Sequence, residues 1–492
     1  MTDTQMQNYL QKIDELNSNG TYKPDWESLA SYPVPEWYRN AKFGVFIHWG
    51  LFTVPEYFSE WYPRQMYYKG NPVYWHHKRK YGKDFNYRDF IPMFKAEKFD
   101  ADEIVQAVKD CGAKFLMPVA EHHDGVKLYD SALSEWTTVK FPVHRDFIGE
   151  LKDACEKTGI TFSTSSHRAE HFWFLNGGKT IGFKNETQDE AYREFYGACA
   201  NVHKRNNLHT LLKQEHGIEP TEKWLQDWLV SSCELIDKYQ PASLFFDWWV
   251  SYKAFRPYMK QFLAYYYNRS LEWGKEVCVY YKSDAIMYNC AIFDRERGQL
   301  KDVSPYIWQG ETSTAYNSWS YCTTNRFKTP EIIACNLLDV ISKNGCFVLN
   351  IGPKADGSIC DEEKHILSEL GKWTKANAEA IWGTQPYKVF GEGKKQKGGS
   401  FHEKLTYTKR DYRFTYKTGV VYAFALKPQG QSVFQIKSLA DSMDLFHCVI
   451  KNISLLGSTE KLTYSQDKKA LTIQTKNKVY SKMPICFKIE VE

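Results

Sequence analysis

The sequence predicts an α/β protein. An irregular TIM-like (β/α) barrel, residues 1–386, is followed by a C-terminal antiparallel β-sandwich, residues 387–492. Three observations predict it. Helical stripes and short apolar runs alternate between about residue 100 and Ile351, the pattern of a parallel sheet with helical crossovers. The apolar run Phe43 to Ile47 ends on His48-Trp49-Gly50, and a barrel strand presents a polar site residue in that way, at its C-terminal end. Beyond Gly383 the helical period disappears, and short alternating runs separated by turns replace it.

Each element has its own signal. The first forty residues are polar and are expected to wrap the outside. Phe43, Val45, Phe46 and Ile47 are apolar and mostly β-forming, so Phe43 to Ile47 reads as a buried strand. An aromatic, basic loop, Tyr62 to Tyr87, follows. Asp100 and Glu103 stand at capping-box spacing before a stripe of Ile104, Val105, Val108 and Cys111, and Gly112 stops that helix before a strand at Lys114 to Val119. Asp146 opens a helix with Leu151, Ala154 and Cys155 on one face. Gly159 ends it, and Ile160 to Ser163 is the next strand.

Thr221 opens a long helix carrying Trp224, Leu225, Trp228, Leu229, Leu235 and Ile236, followed by a strand at Leu244 to Phe246. Ala254 to Trp273 is predicted helical and Val277 to Tyr281 a strand. Thr329 and Pro330 give an N-cap and a first-turn proline to a helix with Ile333, Leu337, Val340 and Ile341, and Cys346 to Ile351 is the strand after it. These are five helix–strand units beside the opening strand. Their number favours a closed barrel, although the pattern does not supply eight strands. A last helix is expected over Asp361 to Ile381, a flexible loop over Gly391 to Ser400, and sandwich strands at Tyr412 to Tyr416 and Ile485 to Val491.

Composition narrows the function. A chain of 492 residues exceeds one ordinary core. Net charge is only +5 with basic residues spread along the chain, which argues against nucleic acid as a partner. No run approaches a membrane span. The 12 cysteines are scattered without a CxxC pair or zinc spacing, so neither a metal nor another cofactor is expected. The 16 Trp, 33 Tyr and 30 Phe suit stacking on sugar faces as well as core filling. The opening residues show no basic and apolar leader regions. A periplasmic or secreted location is expected all the same, since a processed chain would share that start.

The predicted strand ends hold the candidate chemistry. Glu121-His122-His123-Asp124-Gly125 offers two histidines and two carboxylates. Neighbours on a strand point to opposite sides, so hydrogen bonding to a polyhydroxylated ligand is favoured over a metal. Ser165-Ser166-His167-Arg168-Ala169-Glu170-His171 follows the next strand. Asp247 comes after three apolar residues and before Trp248-Trp249, where it is either a partly desolvated carboxylate or a helix cap. Asp294-Arg295-Glu296-Arg297-Gly298 reads equally as a solvated charge run.

Several motifs in order carry a resemblance: Lys42 to Gly50 with Glu60-Trp61-Tyr62, His122-His123-Asp124-Gly125, Ser318-Trp319-Ser320-Tyr321, and Ser342-Lys343-Asn344-Gly345 with Leu349 to Gly357. From about Glu36 to Tyr387 the chain resembles the α-L-fucosidases of glycoside hydrolase family 29. The resemblance implies an exo-acting retaining glycosidase acting on a fucosylated oligosaccharide or glycoprotein glycan. The nucleophile would be Asp247. His48, Glu60, His122 and His123 would bond the sugar hydroxyls, and Trp61 and Trp319 would wall its methyl group. His167 and Glu170 match one bacterial branch as further substrate-binding residues. A retaining enzyme needs a second carboxyl about 5–5.5 Å from the first.

Glu296 falls where the family places its acid/base, with Asp294 and Glu311 as the other candidates. Arg295 and Arg297 flank Glu296, and their charge would have to be offset for it to hold a proton. Gln309 stands where many members have Glu, and Tyr281-Lys282-Ser283-Asp284 where the family has a sugar-contacting Arg, so that role is not carried over. Trp248-Trp249 in place of a Gly is expected to narrow the site. Linkage preference would rest on the loops Pro63 to Lys83 and Phe172 to Gly217. The alternatives are a non-catalytic fucose-binding relative and another retaining glycosidase such as an α-galactosidase. The second would want a polar partner where the aromatic wall stands.

Overall fold

Short β-forming runs buried along their length become the staves of a parallel barrel. The computed structural model describes residues 1–175, 185–197, 220–394, 396–403, 405–441, 446 and 449–492, so most of the loop Phe172 to Gly217 lies outside the described residues. The staves are β1 (Phe43–Ile47), β2 (Phe115–Glu121), β3 (Thr161–Phe162), β4 (Thr164–Ser166), β5 (Ser243–Phe246), β6 (Cys278–Tyr281), β7 (Ile292–Glu296), β8 (Trp308–Ser313) and β9 (Gly345–Ile351). Their order is β1-β9-β8-β7-β6-β5-β4-β2-β3, and parallel pairing of β1 with β2 closes the ring. β3 and β4 both pair with β2 and are one stave interrupted at Ser163, so the barrel has eight staves.

Helices cover it: α1 (Asp3–Asn19), α2 (Ala101–Asp110), α3 (Phe147–Thr158), α4 (Arg168–Phe174), α5 (Glu222–Tyr239), α6 (Arg256–Trp273), α7 (Pro330–Ile341) and α8 (Asp361–Ala376). The expected caps form. Asp100 accepts from the Glu103 N–H, Asp146 from Gly149 and Thr221 from Trp224. The polar N-terminal segment lies outside the barrel, where α1 bonds α5 and α6 through Tyr9 to Asp237 and Asn17 to the Gln261 carbonyl.

Two staves escaped the sequence pattern. β7 and β8 are joined to their predecessors by loops rather than helices, and their sequences, Ile-Phe-Asp-Arg-Glu and Trp-Gln-Gly-Glu-Thr-Ser, are polar. The single helix expected over Asp361 to Ile381 is broken at Asn377, leaving α8 and a separate turn, Ala378–Ile381. The segment expected to be a flexible loop, Gly391 to Ser400, begins inside a strand and returns to the barrel, where Gly399 bridges Gln299.

Inside the barrel, side chains alternate along each stave. Phe46, Phe115, Met117, Phe245, Tyr280, Ile292, Cys346 and Val348 fill the lower interior, and Tyr38 and Ala41 close its bottom. Two residues further up, the inward positions turn polar: His48, Asp247, Lys282, Asp294 and Asn350 follow Phe46, Phe245, Tyr280, Ile292 and Val348. The same alternation that packs the floor therefore aims the site upward.

After the barrel come β10 (Gln385–Glu392), β11 (Tyr412–Lys417), β12 (Val420–Ala425), β13 (Val433–Ile436), β14 (Ile450–Leu455), β15 (Thr463–Gln466), β16 (Leu471–Gln474) and β17 (Ile485–Val491). They form antiparallel sheets β10-β11-β12-β17-β14 and β13-β16-β15. Phe414, Ala423, Phe434, Ile473 and Phe487 fill the space between them. The other face of β12 turns Tyr422 and Phe424 into the core around the barrel helices, and the Phe424 ring lies 6.3 Å from Trp373 of α8. Arg413 of β11 and Asp339 of α7 are each 1% exposed and pair at 2.7 Å. Removing one partner of such a buried pair costs roughly 3–5 kcal/mol.

Candidate active site

The C-terminal ends of the staves surround a cavity of about 700 Å³, within the size range of ligand sites. Phe46 and Phe245 floor it.

One wall is histidine. His48 continues β1, and its Nδ1 lies 2.7 Å from Asn350 Oδ1. The Asn350 amide in turn donates to Ser313 Oγ and to the Trp319 carbonyl. β2 ends at Glu121, so His122 and His123 are already in a turn. Their rings stack at 4.2 Å instead of diverging, contrary to the strand-based expectation. Gly125 ends this turn at φ +78, and a Cβ there would stand 2.4 Å from the His171 ring. Glu121 anchors the turn from beneath through Lys127 at 3.0 Å and Arg168 at 2.6 Å. Burial holds His48, His122, His123 and His167 below the usual imidazole range, and mutual repulsion adds to this for His48 and His122. They are neutral at pH 7. Among the described residues, Nδ1 of His122 and of His123 has no hydrogen-bond partner.

Asp247 stands at the end of β5, where the walls meet. Its Oδ2 lies 3.1 Å from His123 Nε2 and 3.2 Å from His167 Nδ1, and its Oδ1 accepts from Lys282 Nζ at 2.8 Å. Burial alone would raise its pKa. The Lys282 charge and the two imidazole hydrogen bonds overcome that and hold the carboxyl well below the usual range.

The opposite wall is ionic. Lys282 Nζ lies 2.8 Å from Glu296 Oε2 and 3.0 Å from Glu311 Oε1 as well as touching Asp247. Burial opposes its charge, but Asp247, Glu296, Glu311 and Asp294 keep it firmly protonated. β7 and β8 pair in register, with Asp294 beside Gln309 and Glu296 beside Glu311. Asp294 is buried and accepts from the Gln309 amide at 2.9 Å. Burial and the Glu311 charge push Asp294 well up. Burial likewise pushes Glu311 up, with Glu296 and Asp247 adding to it against Lys282. Of the three acid/base candidates, Asp294 and Glu311 are buried, whereas Glu296 stands highest on β7 and is the most open to the cavity. The flanking arginines turn elsewhere: Arg295 lies over Phe293, and Arg297 over Trp319 and against Glu403.

Glu60 and the aromatics close the sides. Glu60 Oε2 accepts from the Trp319 N–H at 3.0 Å, the Ser320 N–H at 3.4 Å and Ser318 Oγ at 3.2 Å, while burial raises its pKa. Trp61 and Trp319 both face the cavity, and the Trp319 ring lies 5.2 Å from His48. Of the tryptophan pair, Trp248 lines the cavity, while Trp249 is buried in a stack with Tyr252 and Trp173.

The structure thus brings His48, Glu60, Trp61, His122, His123, His167, Asp247, Glu296 and Trp319 to one cavity. Glu170 does not line it. It is fully buried and accepts from the Trp249 N–H at 2.8 Å, with its pKa pushed well up by burial and the Asp247 charge, so it supports the Asp247 turn from behind. Sequence reasoning missed Lys282 and Asn350 as site residues. The signal was available in the inward period of two, Tyr280 to Lys282 and Val348 to Asn350. It also missed Ser400 and Phe401, which reach the cavity from beyond β10 and carry no periodic signal.

The ligand atoms of His48, His122 and His167, and those of His123, His167 and Asp247, lie within 4.8 Å of one another, a spacing a metal ion could use. The Lys282 ammonium on the same Asp247 opposes a second cation there.

Comparison with known proteins gives a consistent result. The family model described as Alpha-L-fucosidase matches residues 9–379. The human tissue alpha-L-fucosidase is 30% identical over 381 residues, covering 75% of this chain and 73% of that protein. The crystal structure of the Thermotoga maritima alpha-fucosidase superposes with a TM-score of 0.75 at 26% identity, covering 95% of this chain and all of that one. A complex of the same enzyme with fucose superposes with a TM-score of 0.75 at 25% identity over the same shares. No helix among the described residues is long and apolar enough to cross a membrane.

Proposed function

This chain belongs to the alpha-L-fucosidase family of glycoside hydrolases, and on that premise we propose that it is an exo-acting, retaining α-L-fucosidase. In this reading it releases terminal α-L-fucose from fucosylated oligosaccharides or glycoprotein glycans through a covalent fucosyl-Asp247 intermediate. Asp247 attacks the anomeric carbon while Glu296 protonates the departing glycosidic oxygen. Water then gives a proton to the Glu296 carboxylate and attacks the same carbon, and Asp247 leaves with its electron pair. Two inversions give net retention.

The observation that carries the reading is Lys282. Its Nζ lies 2.8 Å from both Asp247 Oδ1 and Glu296 Oε2, so those two oxygens can be no further apart than twice that distance. This supports the roughly 5–5.5 Å spacing of retaining enzymes over the roughly 6.5–9.5 Å of inverting ones. Lys282 also suits the charge movement. In the first step negative charge leaves Asp247 and appears on Glu296, and the ammonium touches both, so no buried charge is left uncompensated. The neutral imidazoles of His48, His122 and His123 can donate to or accept from sugar hydroxyls. The fucose held by the Thermotoga relative supports that sugar here. A pocket floored by Phe46 and Phe245 admits a chain end, which supports exo action.

The reading takes residues 1–386 as the catalytic unit and 387–492 as its scaffold, supported by the shared core at Phe424 and the Arg413–Asp339 pair. It also includes a periplasmic or secreted location, checked by fractionating the source cells. Proton NMR of the first-formed sugar tests the mechanism. α-L-Fucose is expected, and initial β-L-fucose overturns retention. A panel of nitrophenyl glycosides tests the substrate, and α-galactoside as the preferred member overturns it.

A further inference from the structure

Phe401 is an aromatic residue at the cavity and is 68% exposed. It belongs to the segment that returns from the sandwich side, and that segment is fixed. The Gly399 N–H donates to the Gln299 carbonyl at 2.8 Å, and the Gln299 amide donates to the carbonyls of Lys397 and His402. Gly298 lets the two backbones meet, because a Cβ there would stand 1.9 Å from the Gly399 oxygen. Glu403 pins the far end by pairing with Arg297 at 3.0 Å and Lys328 at 3.2 Å and accepting from Thr312 Oγ1. Between these anchors the Phe401 N–H donates to the backbone carbonyl of Glu296 at 3.0 Å.

That last bond sets the ring's neighbourhood. The group that protonates a glycosidic oxygen must stand beside the sugar that departs with it. An exposed ring tethered to the backbone of that group lies on the departing side. A phenyl ring held in water by a segment hydrogen-bonded at both ends offers a flat apolar surface, and the C–H face of a pyranose is its chemical complement.

Building on the fucosidase reading above, we propose that Phe401 is the platform of a leaving-group subsite, taking the pyranose ring to which the fucose is attached. The specificity of the barrel site is then set in part by a residue supplied from beyond β10.

The test compares a substrate with a ring to stack against one without. Kinetics of the full chain and of Phe401→Ala and Phe401→Trp are measured on α-L-fucosyl fluoride and on fucosyl disaccharides of α1,2, α1,3, α1,4 and α1,6 linkage, with thermal melting to compare folding. The ratio of kcat/KM on the best disaccharide to that on the fluoride should fall roughly 10-fold in Phe401→Ala and return in Phe401→Trp. An unchanged ratio, or an equal fall on both substrates, overturns the subsite and leaves the fucosidase reading standing. Cleavage of the fluoride alone by the unsubstituted protein does the same. Failure of the unsubstituted protein on every fucoside removes the fucosidase reading and the subsite with it.

Discussion

The two walls of the cavity solve different problems with different physics. The histidine wall, from β1, β2 and β4, is uncharged: four imidazoles kept neutral by burial, packed against one another and against the rings of Phe46, Phe52 and Trp61. The wall from β6, β7 and β8 concentrates charge, with one ammonium paired to three carboxyls. A neutral sugar is recognised by neutral donors and acceptors, which lose little when buried with a partner. Breaking a glycosidic bond moves charge, and only a preorganised ionic cluster stabilises that movement. The difference teaches that charge is segregated by stave, with Asp247 on the seam, and under the proposed function this divides binding from chemistry.

Substitution at the seam should have the largest effect. Asp247→Ala removes the proposed nucleophile, so kcat/KM should fall on the order of 10⁴-fold or more on every fucoside. Azide, attacking directly, should yield β-fucosyl azide. A variant retaining substantial turnover would break the division at its centre.

On the ionic wall, Glu296→Ala should cost roughly 10²–10⁴-fold on a fucosyl disaccharide but much less on an activated aryl fucoside in its first step. Azide, meeting the fucosyl-enzyme, should give the α-azide. If Asp294→Ala or Glu311→Ala shows this pattern and Glu296→Ala does not, the acid/base role moves.

Lys282→Met should lower kcat/KM on the order of 100-fold. Lys282 holds the Asp247 carboxyl down, so without it the carboxyl stays protonated to higher pH, and the acid limb of the rate profile should move upward. Lys282→Arg should recover part of the loss. A profile that keeps its acid limb in place would sink the electrostatic role.

The histidine wall predicts a milder effect on stability. Its four imidazoles resist protonation when folded but take protons when unfolded, so the unfolded chain binds more protons below about pH 6.5. Asp247 acts in the same direction at lower pH, because its depressed pKa contributes stability that is lost on acidification. Buried Glu60, Glu170, Asp294 and Glu311, whose pKa values burial raises, act in the opposite direction, so the histidine contribution is read as a difference between variants. Between pH 7.5 and 5.0 the melting temperature of His122→Asn should drop less, or rise more, than that of the unsubstituted chain, and an identical pH trend in the two contradicts a neutral buried His122. The smallest expected effect is none: EDTA should leave activity unchanged. Full loss restored by one divalent metal would recast the histidine wall as a metal site.

Legibility followed the same line. His48 and His122 stand in contiguous motifs and Asp247 ends an apolar strand, so local signals expose them. β7 and β8 did not read as strands, because polar residues are what those staves turn toward the cavity and no helix precedes either one. Glu170 illustrates the reverse error. It lies in the right motif, yet it is turned behind Asp247 onto the Trp249 backbone.

By itself the sequence determined what depends on neighbours in the chain: helix caps, strand runs, the change from barrel to sandwich, and the contiguous family motifs. The tertiary structure alone decided which distant side chains meet. Lys282 joins residues 247, 296 and 311 because closure of the barrel makes β5, β6, β7 and β8 adjacent. Phe401 reaches Glu296 because Glu403 and Gly298 let a segment beyond β10 lie against the barrel mouth. No local period encodes such contacts. They follow from the closed ring of staves and from burial, which makes a charge find its partner wherever in the chain that partner stands.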